Sequence, residues 1–215
     1  MLPTKELPIY YKSIGTLDLS SDRRKLVGLN ILAIGLFLLS AWLFGMLIGA
    51  LRRPDAGQLA FGFAGLGDAL GLVLLLLLVT GIMLVLHEAA HGIFFWWYTR
   101  ERPKFAIRWS YAYAAAPEWY LPKRKYLVVA LAPLVLVTLL GVLAALVVPA
   151  AWLKGVWLLL ILNTSGAVGD LWVVGWLLRQ PESCLANDHG DAVTLYLPKW
   201  ELPRRNKDTK EHEDF

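Results

Sequence analysis

Cysteine is almost absent from this chain: Cys184 is the only one among 215 residues. A disulfide framework is therefore excluded, and so is a metal site built from several thiolates. Charge is scarce as well, at 18% Asp, Glu, Lys and Arg against 57% hydrophobic residues, with a mean hydropathy of +0.53. That balance is too apolar for an ordinary soluble domain. The net charge is +4, but the basic residues sit between and beyond the apolar runs. There they report orientation in a membrane and do not call for a nucleic-acid partner.

What is abundant is uninterrupted hydrocarbon. A bilayer core needs about 20 consecutive apolar residues per helix, and four segments qualify, at roughly 27–50, 69–98, 126–151 and 155–178. Runs such as LGLVLLLLLVTGIMLVL are too long and too uniform for a soluble core. The first segment follows 26 residues that carry several charges, is longer than a signal-peptide core, and is not followed by a small-residue cleavage site. A retained first span is expected. The expectation is an all-α polytopic membrane protein with about four main transmembrane helices. It divides into a cytoplasmic N-terminal segment (1–26), a membrane domain (27–178) and a cytoplasmic tail (179–215), disordered from Pro203 onward.

Lys and Arg number five before the first span, two after it, seven after the second, one after the third and six in the tail. This alternation predicts both termini in the cytoplasm of an inner, cell-membrane protein. Spans two and four then run in the same direction, from outside to inside. The glycine-rich 51–68 reads as a plain outer loop. In the cytoplasmic stretch 99–125, Phe105, Ile107, Trp109, Tyr111 and Tyr113 fall on alternate positions, a strand period. Such a strand is either an interfacial segment anchored by its aromatics or an edge that pairs with an extended peptide.

Against this background GIMLVLHEAAHGIFFWWYTR, residues 81–100, stands out. His87 and His91 are four apart, so on a helix they share a face one turn apart. Two neutral imidazoles so placed can take two positions around a tetrahedral Zn²⁺. Glu88, beside the first histidine, can take a proton from a water activated by the metal. The other reading, polar residues serving helix packing, meets a cost of roughly 2.5–3.5 kcal/mol for an ionisable residue at mid-bilayer. Three of them within five positions favour metal binding.

A catalytic zinc needs a third protein ligand and keeps one position open. Within the spans the only other strongly ionisable side chain is Asp170. His91 lies nine residues before Arg100 at the inner end of span two, and Asp170 nine residues before Arg179 at the inner end of span four. At about 1.5 Å per residue both lie about 13–14 Å below those arginines, so straight, parallel spans put them at one depth. Asn163, seven residues before Asp170, shares its face; its amide either stabilises a developing oxyanion or makes a helix–helix hydrogen bond. Glu118 is the rival third ligand, but it sits in the loop. His189 and His212 read as solvated.

These residues resemble the site-2 protease family of intramembrane zinc metalloproteases, and in particular the small bacterial zincin-like membrane proteins grouped with it. The resemblance covers about residues 80–195: HEAAH, the segment YLVVALAPLVLV with its proline after a small residue, and NTSGAVGD in the place of the family's Asn-to-Asp motif. Gly166 stands where that motif typically has proline, and Leu171 follows Asp170 where it typically has glycine. The resemblance implies His87, His91 and Asp170 as zinc ligands and Glu88 as general base. It further implies hydrolysis of a peptide bond in a membrane-associated peptide or protein, with the strand-like loop holding substrate extended. A non-proteolytic zinc-binding scaffold or assembly factor is the alternative, and Glu88 discriminates, since a purely structural site needs no base. A solute transporter would show broken helices in paired halves, which are not evident in the sequence.

Overall fold

The computed structural model describes residues 1–18, 23–107, 112–190 and 192–202. Three long helices are the ones expected from the apolar runs: α1 (Arg23–Leu51), α2 (Leu66–Thr99) and α3 (Lys123–Val147). Each is long and apolar enough to cross a membrane. The 34 residues of α2 make a rod of about 51 Å. Its outward side chains, Leu74, Leu77, Leu78 and Val85 among them, are exposed, a contiguous apolar surface of the kind that lipid or a protein partner covers.

The fourth run is not one straight helix. It forms α4 (Leu153–Gly166) and α5 (Val168–Leu178), bent by 40° at Ala167. Local chemistry explains the break. Thr164 Oγ1 donates to the Leu160 carbonyl and Ser165 Oγ to that of Ile161, back-bonding that bends helices, and Gly166 adds backbone freedom. The pair counts as a fourth crossing only if its two halves are one broken span. Asp170 consequently sits in the first turn of α5, not in the middle of a continuous rod.

The chain is mostly helical, but the expectation of an all-α fold omits a small sheet. Four antiparallel strands run in the order β1 (Tyr11–Asp18), β6 (Ala192–Pro198), β5 (Leu185–Asp188), β4 (Tyr120–Pro122). They come from the N-terminal segment, the residues just before α3, and the residues after α5. Thr4 extends the β4 edge by a bridge to Tyr120. One face packs Leu121, Ala186, Val193 and Leu195 onto Phe95 of α2, Tyr126 and Val129 of α3 and Leu177 of α5. This core joins the sheet to the ends of three helices and holds α5 in place. Lys123 ties the same parts together, its Nζ donating to the Gln180 carbonyl at 2.7 Å just past α5.

Between α2 and α3 the expected alternating strand becomes a hairpin, β2 (Lys104–Ile107) paired antiparallel with β3 (Ala112–Ala115). Trp109 and Tyr111 lie outside the described residues, as does the tail from Pro203 onward with His212. The hairpin rests on α2 at Gly92, where an added Cβ would lie 2.5 Å from a ring carbon of Phe105. A side chain at 92 would have to push that ring aside. The 51–68 segment holds a short 3₁₀ turn, Arg53–Leu59, and Arg52 donates to the Ala145 and Val148 carbonyls at the far end of α3.

Candidate metal site

The four-residue spacing in α2 places the His87 and His91 rings edge to face, centroids 5.1 Å apart. The bend at Ala167 turns Asp170 towards them. His87 Nε2 lies 3.1 Å from Asp170 Oδ2, and His91 Nε2 lies 3.4 Å from Oδ1. One ligand atom from each residue falls within 4.8 Å of the other two. The expected partners at matching depth therefore meet in space, although one of the helices in that arithmetic is broken.

What faces Asp170 is decided on the other side of each ring. His91 Nδ1 lies 2.9 Å from the Val129 carbonyl, which can only accept, so Nδ1 carries the proton. That carbonyl is available because of Pro133. In an α-helix the N–H of residue 133 would bond the carbonyl of residue 129, and proline has no N–H. His87 Nδ1 lies 3.2 Å from Asn163 Oδ1. The amide's orientation is fixed at its opposite end, where Nδ2 donates to the Pro133 carbonyl at 3.2 Å. Oδ1 is thus the acceptor, and His87 also carries its proton on Nδ1.

With Nδ1 committed to an outer acceptor, each ring in its neutral form directs an Nε2 lone pair at an oxygen of one carboxylate. Lone pairs opposed at 3.1–3.4 Å repel unless a proton or a cation lies between them. Two imidazole nitrogens and one carboxylate oxygen form the three-ligand set of a catalytic zinc site, with a position left open. Ring N–H groups committed to outer acceptors are the usual companions of metal-ligating histidines. The donor set fits zinc.

Glu88 is not one of the three. It lines a cavity of about 350 Å³ beside them, and its carboxylate accepts a hydrogen bond from the backbone of Ala114 in β3. Asn163 is fully buried and does not line the cavity; beyond His87, it bridges α4 to α3. Glu118 is exposed and paired with Lys104 at 2.8 Å, whose ammonium holds its carboxyl below the usual range. It stands apart from the histidine cluster, and His189 is exposed.

One carboxylate at this cavity is not among the residues the sequence pattern points to. Asp188, at the end of β5, accepts from Tyr126 Oη at 2.6 Å and from the Gly190 amide at 2.7 Å. Burial pushes its carboxyl above the usual range despite both bonds. The available signal was NDHGD, a turn sequence, followed by the alternating VTLYL.

Residues 80–185 match the model of the family described as "Putative zincin peptidase". The match supports a zincin-type metallopeptidase family. The matched stretch holds His87, Glu88, His91, Asn163 and Asp170 and ends before Asp188. A zincin family implies zinc as cofactor, in keeping with the donor set. No curated protein and no solved structure matches the chain.

Proposed function

We propose that this zincin-type chain is a site-2 protease-like intramembrane metallopeptidase that hydrolyses a peptide bond in a membrane-associated substrate. The observation that carries the reading is the pair of Nδ1 hydrogen bonds, His87 to Asn163 and His91 to Val129, which turn both Nε2 atoms towards Asp170. In this reading His87, His91 and Asp170 hold the ion. Zinc, when bound, supplies Lewis acidity and brings the pKa of a water in its open position towards about 7.

The chain's own residues do the rest. Glu88 faces the cavity one residue from His87 and is held by Ala114. It takes a proton from the attacking water and delivers it to the departing amide nitrogen. Asn163 fixes the His87 tautomer. On its second edge β3 has no strand partner among the described residues, and an extended peptide can pair there. Pairing matters because a helical peptide bond resists attack while its carbonyl is hydrogen-bonded and shielded. The Lys and Arg alternation supports an inner-membrane location with both termini cytoplasmic.

Replacing Glu88 by Gln tests the reading. Cleavage of a membrane-tethered peptide should fall by a factor of at least a thousand while bound zinc stays at the wild-type level. A Glu88→Gln protein that cleaves as wild type excludes the peptidase mechanism. Zinc bound by wild type with no cleavage of any membrane-tethered peptide would leave a scaffold role.

A further inference from the structure

The cavity beside the histidines carries three carboxylates, Glu88, Asp170 and Asp188, and no lysine or arginine among the described residues that line it. Asp188 is the one that neither belongs to the three-residue cluster nor adjoins one of its members in sequence. Its two hydrogen-bond donors, the Tyr126 hydroxyl and the Gly190 amide, are both neutral, and each carboxylate oxygen keeps a further lone pair. A half-buried carboxylate with no cation beside it carries a desolvation cost, the largest influence on Asp188. An arriving cation would relieve that cost.

The walls around Asp188 suit an organic cation. The rings of Tyr113 and Tyr126 line the same cavity, and aromatic faces attract ammonium and guanidinium groups. Tyr113 comes this close because Gly190, at φ 95°, leaves room where a Cβ would lie 2.3 Å from the ring. Leu17 and Val193 add apolar surface on which the methylene stem of a lysine or arginine can lie. Tyr113 also belongs to β3, the strand proposed to hold substrate.

We propose that Asp188, with Tyr113 and Tyr126, forms a subsite for a basic side chain of the substrate, so that the preferred peptide carries lysine or arginine next to the cleaved bond. The proposal rests on the peptidase reading for the word substrate, but the subsite can be tested by binding alone.

The probes are capped twelve-residue apolar peptides, paired so that lysine in one is norleucine in the other, with that position scanned along the centre. Binding to the full-length, zinc-loaded Glu88→Gln protein in micelles is read by fluorescence anisotropy. At one central position lysine should bind at least tenfold tighter than norleucine. Adding Asp188→Asn should reduce the ratio below twofold and leave the norleucine peptide within twofold. Tyr126→Phe, which removes the bond to Asp188 but not its charge, should keep the lysine preference.

Equal binding of lysine and norleucine at every position overturns the subsite. So does a parallel loss of both peptides in Asp188→Asn, which would make Asp188 only a fastener of the turn, and so does a preference lost equally in Tyr126→Phe. Cleavage by wild type separates the two readings. Zinc-dependent cleavage of both peptides at equal kcat/KM would end the subsite and leave the peptidase standing. A lysine preference that depends on Asp188 without any cleavage would do the reverse.

Discussion

His91 and Val129 are joined by a 2.9 Å hydrogen bond because Pro133, four residues further along α3, has no N–H with which to occupy the Val129 carbonyl. A proline inside an apolar helix is usually a cost to that helix. Here the loss in α3 becomes a fixed acceptor for a ring in α2. The next carbonyl in the arrangement, that of Pro133 itself, holds Asn163 and through it His87.

Restoring the missing N–H should therefore weaken the metal site without touching it. In Pro133→Ala the helix bond to Val129 re-forms and competes with His91. Outer partners of ligating histidines contribute about 10–100-fold to metal affinity. Zinc affinity, measured by competition with a chromophoric chelator, should fall about tenfold while the helical circular dichroism is unchanged or larger. Unchanged affinity would mean that Val129 does not orient His91.

The proposed ligands are separable from their rival by substitution. Asp170→Ala should lose zinc from the purified protein, as should His87→Ala, whereas Glu118→Ala should retain it, because Glu118 is committed to Lys104 at the surface. Elemental analysis of the three variants beside wild type reads this directly. Full zinc in Asp170→Ala would remove the carboxylate from the ligand set.

Asn163 is expected to act through His87. Asn163→Ala removes the acceptor for Nδ1–H and the bridge to α3, so zinc affinity should drop about 10–100-fold. Asn163→Asp keeps the acceptor and should retain more of it. If Asn163→Ala binds zinc as wild type but cleaves poorly, the amide contacts substrate and the oxyanion role applies instead.

Gly92 tests the seat of the hairpin. Alanine there would put a Cβ 2.5 Å from the Phe105 ring, so the ring must give way, and β2 is expected to move with it and carry β3. Zinc content should stay constant while kcat/KM falls about tenfold. Removing the ring in Gly92→Ala/Phe105→Ala should recover most of the loss. Lack of recovery would place the defect in α2 itself.

Cys184 is fully buried, and burial pushes its thiol up to about 11. The thiolate is the reactive form, and at pH 8 it is a minute fraction of the folded protein. Maleimide should leave the native protein unlabelled over minutes at pH 7–8 and label it fully once the fold is lost in detergent denaturant. Rapid native labelling would show that the turn before β5 opens.

The pairing of His87, His91 and Asp170 was legible because charge is so scarce in the apolar runs. A helical spacing and a count of residues to the nearest arginines suffice when only a few polar groups compete. The break at Ala167 was less legible: Thr164, Ser165 and Gly166 are tolerated in straight helices, and the bend depends on which carbonyls they bond. The four-stranded sheet was missed for a different reason. Its strands are short and come from three stretches far apart in sequence, so no local period announces their pairing. Asp188 disappeared with them, inside what reads as a tail. The alternation at Phe105, Ile107 and Tyr113 did carry a strand signal, but it could not distinguish one strand from two.

The sheet's connectivity has a consequence for biogenesis. Thr16 and Thr194, which share a 2.9 Å hydrogen bond between β1 and β6, are 178 residues apart. On the ribosome β1 emerges before all five helices and waits unpaired until they and β5 have been made. The part of the cavity wall formed by Asp188, Gly190 and Val193 cannot close before that moment. A nascent chain carries both histidines well before their enclosure, which waits for the segment after α5, and until then it presents an open, unlined cleft.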